Sequence, residues 1–191
     1  MASILVVCTG NVCRSPAAEG FLRRAFTERL GSQAPSVGSA GTAGWEGSGA
    51  TPESVRAAGE RGVDTTDHIA RHLTREQIQG ADLIVAMAAE HSAHVGSAVP
   101  EARDRTFTLK ELVRLLEAGE PVATGLEAIG AAAARRADGF GANPFDDDVE
   151  DPYGMSMEAY RAMAWELEEW TGRLADALFG PIPASAAGAG A

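Results

Sequence analysis

The stretch I-L-V-V-C-T-G-N-V-C-R-S-P at residues 4–16 decides the fold of this chain. Its first part is a short apolar run, rich in β-branched residues, that ends at Cys8 and predicts a buried strand. A loop of small residues follows. Pro16 and the Ala/Glu run behind it predict a helix that begins at Pro16, because proline is common at the first helical position. Cys8 is therefore predicted at the carboxyl end of a strand, with a loop that leads into the amino end of a helix.

This strand–loop–helix arrangement predicts an anion-binding site. Loop amides beside a helix N-terminus point at one spot, and the helix dipole adds partial positive charge there. The guanidinium of Arg14 matches a tetrahedral oxyanion in two-point contact. The same field favours a thiolate at Cys8, which would make this sulfur nucleophilic. The alternative is a buried structural cysteine, which is common for a lone Cys on a core strand.

The composition limits the classes of protein that the chain can represent. A length of 191 residues suits one domain with a sizeable core. The net charge of −11 disfavours nucleic acid and anionic membranes as partners. Both cysteines lie in the loop, so a secreted disulfide scaffold is not expected. No signal peptide and no membrane-spanning run is apparent, and we predict a cytoplasmic protein.

Strand and helix signals alternate along the chain, which predicts an α/β fold. We expect three layers, with a four-stranded parallel sheet, helices on both faces and the site at the carboxyl ends of the strands. Residues 1–180 are predicted to form a single domain, in which 119–145 are an insertion of unknown role. Thr124 and Glu127 predict a short extra helix there. The Ala/Gly-rich residues 181–191 are predicted to be a disordered tail.

The spacing Cys8-x5-Arg14-Ser15 is typical of cysteine-dependent phosphatases. The fuller string C-T-G-N-V-C-R-S-P resembles the phosphate loop of the low-molecular-weight protein tyrosine phosphatase family. Gly10, Asn11 and Pro16 agree with this resemblance and favour a nucleophilic Cys8 over a structural one. The resemblance implies a phosphate-binding loop of Thr9, Gly10, Asn11, Val12, Cys13, Arg14 and Ser15.

The resemblance also assigns roles to residues around the loop. Ser15 matches the hydroxyl that donates to the thiolate. His68 and Ser39 match residues that support the loop through its asparagine. Cys13 matches a redox partner that forms a reversible disulfide with Cys8 and protects it from over-oxidation.

The segment V-E-D-P-Y-G at 149–154 resembles the motif that carries the general acid in this family. Asp151 would be the acid and Tyr153 a wall of the substrate pocket, although Asp148 and Glu150 are alternative acids. Trp45 either covers an edge of the core or forms the opposite wall of the pocket, and the resemblance favours the pocket.

Two further features lie between residues 88 and 94. Ala88 stands where the family often has an acidic residue, and this departure would weaken a hydrogen bond to the Arg14 side. Glu90, His91 and His94 fall on a predicted helix, where a solvated helix face is favoured over a metal site.

The resemblance implies a protein tyrosine phosphatase that acts through a cysteinyl-phosphate intermediate, with Asp151 as general acid. The partner would be a phosphorylated protein. Loop amides and Arg14 supply the positive field, so no cofactor and no metal is expected. The oligomeric state stays open.

Three alternatives remain. In relatives specific for phosphoarginine a Thr at the position of Val12 touches the substrate, and the apolar Val12 favours phosphotyrosine. A thiol-dependent arsenate reductase shares the scaffold, but the thioredoxin-coupled type needs a further cysteine beyond Cys13. A catalytically silent phosphoprotein-binding module is disfavoured by intact Cys8, Arg14 and Asp151.

Overall fold

A four-stranded parallel sheet forms the centre of the protein. The computed structural model describes residues 2–118, 124–125, 127–140 and 147–182. The strands are β1 (Ser3–Cys8), β2 (Ser36–Gly41), β3 (Leu83–Ala86) and β4 (Thr106–Thr108). They lie in the order β2-β1-β3-β4, and every neighbouring pair is parallel. The predicted α/β fold with a four-stranded parallel sheet is confirmed.

Seven helices of the described residues surround this sheet. They are α1 (Arg14–Leu30), α2 (Pro52–Gly59), α3 (Arg75–Gly80), α4 (Ala89–Ala98), α5 (Leu109–Glu117), α6 (Glu127–Ala137) and α7 (Met157–Phe179). Short 3-10 turns at Gly31–Gln33 and Pro100–Arg105 lead into β2 and β4. Within the described part of the chain, no helix is both long and apolar enough to cross a bilayer.

The alternation of side chains along β1 divides the core into two layers. Ile4, Val6 and Cys8 face a large cluster that includes the buried sides of α1, α5 and α7. Leu5 and Val7 face a smaller cluster, to which α3 and α4 contribute Ile78 and Val95. Because side chains of a strand alternate between faces, one apolar run covers both layers. Helices therefore pack on both faces, as predicted.

The order of the strands fixes where the site must lie. The chain leaves β1 to form β2 on one side of it and later returns to form β3 on the other side. The end of β1 is thus a switch point, where helices diverge to opposite faces and leave a crevice at the carboxyl edge. The loop after Cys8 opens into this crevice.

Two predicted boundaries are wrong. Helix α1 begins at Arg14, so Pro16 is its third residue and not its first. The sequence predicts the fourth strand over 103–108, but β4 covers only Thr106–Thr108, because residues 103–105 belong to the 3-10 turn Pro100–Arg105. Proline fits the first turn of a helix but lacks the amide that a strand needs.

Part of the predicted insertion belongs to the main core. The extra helix predicted there is α6, which buries Ala128, Ile129 and Ala132. Arg135 Nη1 donates to the carbonyl of Leu115 at 2.7 Å, near the end of α5. Within 119–145, residues 119–123, 126 and 141–145 lie outside the described residues. Residues 183–191 of the predicted disordered tail lie outside them as well. The description of 1–180 as one domain stays a prediction.

Candidate active site

The loop after β1 turns its carbonyl groups outward. Each carbonyl from Cys8 to Cys13 accepts a hydrogen bond from a group outside the loop. The donors are the amides of Thr42, Ala43, Trp45 and Thr51, with His68 Nε2 at Asn11 and Ser54 Oγ at Cys13. Because each peptide unit points its N–H away from its carbonyl, this arrangement leaves the loop amides free to converge on the interior.

Gly41, at the end of β2, permits this close packing. A Cβ atom there would clash with the Thr9 carbonyl oxygen and with the Cα of Gly44. Only glycine allows the two backbones to approach so closely.

Asn11 holds the centre of the loop in a left-handed conformation, with φ +57° and full burial. Its Nδ2 donates to Ser15 Oγ and to Ser39 Oγ, both at 2.8 Å, and its Oδ1 accepts from the amide of Arg71 at 2.9 Å. His68 Nε2 lies 2.8 Å from the Asn11 carbonyl oxygen. The structure thus brings Asn11, Ser39 and His68 into one network. Burial lowers the pKa of His68, so this ring donates as a neutral group at pH 7.

The sulfur of Cys8 lies at the bottom of the loop. Ser15 Oγ lies 2.9 Å from Cys8 Sγ, and the amide of Asn11 donates to the same sulfur at 3.3 Å. Two donors at one sulfur stabilise negative charge on it. The arrangement suits a thiolate nucleophile.

Arg14 lies beside the sulfur, with a side chain that is only 5% exposed. Its Nη1 donates to the Val149 carbonyl at 3.2 Å, and its Nη2 donates to Thr9 Oγ1 at 3.2 Å and to Asp151 Oδ2 at 2.6 Å. Its Nε is buried and has no hydrogen-bond partner among the described residues. A bound oxyanion would supply the missing acceptor, which fits the fork geometry expected of this arginine.

The segment at 147–151 is fastened to the carboxyl edge of the sheet. The amide of Val149 donates to the Met87 carbonyl at 2.8 Å, and Lys110 Nζ donates to the Asp148 carbonyl at 2.9 Å. Asp148 Oδ1 accepts from the amide of Ala89 at 2.7 Å, so its carboxylate caps α4. Asp151 instead reaches Arg14. Glu150 lines a separate groove along α7, so of these three acids it is Asp151 that lies at the loop.

Two aromatic side chains form the mouth of the site. The rings of Trp45 and Tyr153 meet edge to face, with centroids 5.0 Å apart. They close a cavity of about 120 Å³ above the sulfur. The cavity is lined by Cys8, Thr9, Gly10, Val12, Cys13, Arg14, Trp45, Asp151 and Tyr153. A larger groove, of about 390 Å³, lies along α7 and includes none of these residues.

Cys13 lines the same cavity as Cys8, and both cysteines are free and buried. Cys13 Sγ lies 3.5 Å from Thr51 Oγ1 and 3.9 Å from the hydroxyl of Tyr160. Burial raises the pKa of the Cys13 thiol. Cys13 therefore stays protonated at neutral pH, whereas Cys8 Sγ lies within hydrogen-bond distance of Ser15 Oγ and of the Asn11 amide.

The prediction of a solvated face for His91 is wrong. His91 is 1% exposed, and its Nε2 lies 2.9 Å from Thr9 Oγ1. The first turn of α4 directly follows the end of β3, so it lies at the same sheet edge as the loop. The short connection between the buried strand β3 and α4 is a sequence signal that the first turn of this helix lies near the loop, but it does not tell which of its side chains face the loop.

The comparisons with known proteins agree with this geometry. Residues 3–127 match the family model described as low molecular weight phosphotyrosine protein phosphatase. A protein-arginine-phosphatase of Bacillus subtilis is 35% identical, over 92% of this chain and 95% of that protein. The low molecular weight protein-tyrosine-phosphatase Etp of Escherichia coli is 38% identical, over 62% of this chain and 76% of that protein.

A solved structure of similar fold is the low molecular weight protein tyrosine phosphatase of T. tengcongensis. It is 35% identical, its TM-score is 0.71, and the match covers 93% of this chain and all of that one. The chain belongs to the low-molecular-weight protein tyrosine phosphatase family, and it is a phosphatase of that family.

Proposed function

We propose that this phosphatase removes phosphoryl groups from arginine side chains of proteins, through a covalent intermediate on Cys8. The proposal rests on the share of the chain that matches each kind of relative in sequence. In sequence, arginine phosphatases of Bacillus subtilis and Geobacillus stearothermophilus each match over 92% of the chain, whereas the sequence match to Etp covers 62%. In structure, tyrosine and arginine phosphatases match over a similar extent, so the proposal rests on the sequence relatives. This proposal replaces the preference for phosphotyrosine that Val12 alone had favoured.

The first step forms a bond between Cys8 and phosphorus. The phosphoryl oxygens bind the loop amides and Arg14, and the Cys8 thiolate attacks in line with the departing nitrogen. The S–P bond forms, the P–N bond breaks and its electron pair stays on nitrogen. Asp151, protonated at this stage, gives its proton to that nitrogen. General acid help of this kind contributes about 10²- to 10⁴-fold.

The second step releases phosphate. A water molecule attacks phosphorus, and Asp151, now a carboxylate, takes its proton. The S–P bond breaks and the thiolate of Cys8 returns. The inward-facing amides and Arg14 stabilise the charge on the phosphoryl oxygens in both steps. These groups supply the positive field, so the proposed route uses no metal and no cofactor.

The walls of the cavity accommodate a flat side chain. A guanidinium group is planar and stacks on aromatic faces, and Trp45 and Tyr153 offer such faces at the mouth. The carboxylate of Asp151 is a suitable partner for the guanidinium that leaves. A reducing compartment such as the cytoplasm suits an enzyme with two free thiols.

Phosphotyrosine is the second candidate, and Val12 is the observation that favours it. Val12 lines the cavity with an apolar surface, which suits a phenyl ring and offers no hydrogen bond to a guanidinium. The likeness to bacterial tyrosine phosphatases supports the same substrate.

Two peptides of identical sequence, one with phosphoarginine and one with phosphotyrosine, separate the candidates. We expect the higher kcat/KM with the phosphoarginine peptide, and a further rise in its advantage in Val12→Thr. The variant Val12→Ile, which changes size without adding a hydroxyl, is the control. A kcat/KM that is tenfold higher for the phosphotyrosine peptide would establish the second candidate instead.

A further inference from the structure

His91 is a buried ionisable group beside the site, and the mechanism gives it no role. Its ring is 1% exposed, and its Nε2 lies 2.9 Å from the Thr9 hydroxyl oxygen. Thr9 is a lining residue of the cavity above Cys8. Its hydroxyl also accepts a hydrogen bond from Arg14 Nη2, at 3.2 Å. The direction of that bond is fixed, because a guanidinium has no acceptor.

The tautomer of His91 decides where the Thr9 hydrogen points. If Nε2 carries the proton, it donates to Thr9, and the two lone pairs of the hydroxyl are then filled by His91 and Arg14. If Nδ1 carries the proton, Thr9 must donate to His91, and its hydrogen turns away from the cavity. The neutral ring allows one or the other.

Two observations favour a proton on Nε2. His91 Nδ1 is buried without a hydrogen-bond partner among the described residues. A buried N–H without an acceptor is rarer in folded proteins than an acceptor without a donor, so a bare Nδ1 is the less costly arrangement. In addition, Glu90 Oε1 lies 3.4 Å from His91 Nε2, and a carboxylate this close to a ring nitrogen favours a proton on that nitrogen.

We propose that His91 is a positioning residue that fixes the Thr9 hydroxyl as a hydrogen-bond donor to the bound phosphoryl group. With both lone pairs occupied, the Thr9 hydrogen is left to point into the cavity. The hydroxyl then adds one donor to those of the loop amides and Arg14. The Thr9 hydroxyl contacts the phosphoryl group alone. The proposal therefore rests on the chain being a phosphatase, and it holds for phosphoarginine and for phosphotyrosine.

The charges around His91 keep this arrangement in place at working pH. Arg14 and His94 disfavour a positive ring, whereas Asp148, Asp151 and Glu90 favour one. Burial is the largest effect, and with Arg14 it lowers the pKa of His91 to about 4. The ring is therefore neutral between pH 5 and 8.

A double-mutant cycle between Thr9 and His91 tests the proposal. Its readouts are the inhibition constant of inorganic phosphate and kcat/KM for p-nitrophenyl phosphate, neither of which depends on the natural substrate. Thr9→Val and His91→Leu should each weaken phosphate binding about tenfold, as expected for one lost hydrogen bond to a charged group. The double variant should be no weaker than the weaker single variant. Thr9→Ser and His91→Gln, which keep the donors, should stay within about threefold of the parent.

His94→Leu is the matched control, since it makes the same change on an exposed position of the same helix, and it should leave both readouts unchanged. If His91→Leu weakens phosphate binding further in the Thr9→Val background, His91 does not act through Thr9. If Thr9→Val binds phosphate as tightly as Thr9→Ser, the hydroxyl does not reach the phosphoryl group. The comparison of Thr9→Val with Thr9→Ser leaves His91 intact. It therefore tests whether the Thr9 hydroxyl binds the phosphoryl group even if His91→Leu fails to fold. A kcat/KM that does not favour the phosphoarginine peptide would overturn the proposed substrate. It would not change the inhibition constant of phosphate or the kcat/KM for p-nitrophenyl phosphate.

Discussion

The ion pair between Arg14 and Asp151 predicts opposite effects of one substitution on binding and on turnover. Asp151 Oδ2 lies 2.6 Å from Arg14 Nη2, the nitrogen that would also face a bound phosphoryl oxygen. Phosphate must therefore compete with this carboxylate for the guanidinium. The variant Asp151→Asn removes the negative charge and keeps the size of the side chain.

The exposure of the two partners sets the size of the effect. Arg14 is 5% exposed but Asp151 is 45% exposed, so water screens the pair. Such a pair contributes on the order of 1 kcal/mol. Since about 1.4 kcal/mol corresponds to tenfold in affinity, phosphate should bind about fivefold more tightly to Asp151→Asn. Turnover of a substrate with a poor leaving group should fall by about 10²-fold or more, because the acid is lost.

Isothermal titration with inorganic phosphate and steady-state kinetics measure the two effects. Glu150→Gln is the control, because it removes the same charge at the adjacent, exposed position. It should change neither quantity by more than about twofold. Equal phosphate affinity in Asp151→Asn and Glu150→Gln would refute the competition between carboxylate and phosphate.

Three further predictions concern redox protection, pH and loop packing. Peroxide should join Cys8 and Cys13 in a disulfide with release of two water molecules, so thiol restores activity in the parent. In Cys13→Ser, prolonged peroxide should carry Cys8 past the sulfenic acid to the sulfinic acid, which thiol does not reduce, so activity stays lost. Because the pKa of His91 falls from 6.5 to about 4 on folding, the unfolded chain binds more protons between these values. The free energy of unfolding, measured with urea, should therefore fall as pH drops from 6.5 to 4, and by less in His91→Gln; equal slopes would contradict this. Gly41→Ala should lower stability by about 1–3 kcal/mol and slow turnover, whereas Gly38→Ala on the same strand, where a Cβ meets nothing within 4 Å, should be tolerated.

The loop and the sheet follow from local sequence, which is why they could be predicted. The apolar run before Cys8 and the helix signal after Pro16 define a strand–loop–helix unit whatever the rest of the chain does. The start of α1 at Arg14 was not predicted, because the loop packs against residues far along the chain that no local pattern shows.

The burial of His91 beside the loop could not be predicted, because it depends on tertiary contacts. The helix α4 is short and has a weak apolar pattern, so the sequence does not tell which side faces the sheet. The burial of His91 depends on how α4 packs against β3 and β4. The choice between phosphoarginine and phosphotyrosine was equally beyond the sequence, because it had rested on the single side chain of Val12.

The passage of a phosphoryl group through the sulfur of Cys8 is the claim on which the mechanism depends. Mass mapping of peptides from a rapidly quenched reaction with a phosphopeptide tests it most directly. In Asp151→Asn with p-nitrophenyl phosphate in place of the phosphopeptide, only the second step is slowed, because this leaving group needs no proton, and the peptide that contains Cys8 should carry one phosphoryl group before phosphate appears in solution. Release of phosphate with no phosphorylated Cys8 at any time, or a phosphoryl group on another residue, would contradict the account.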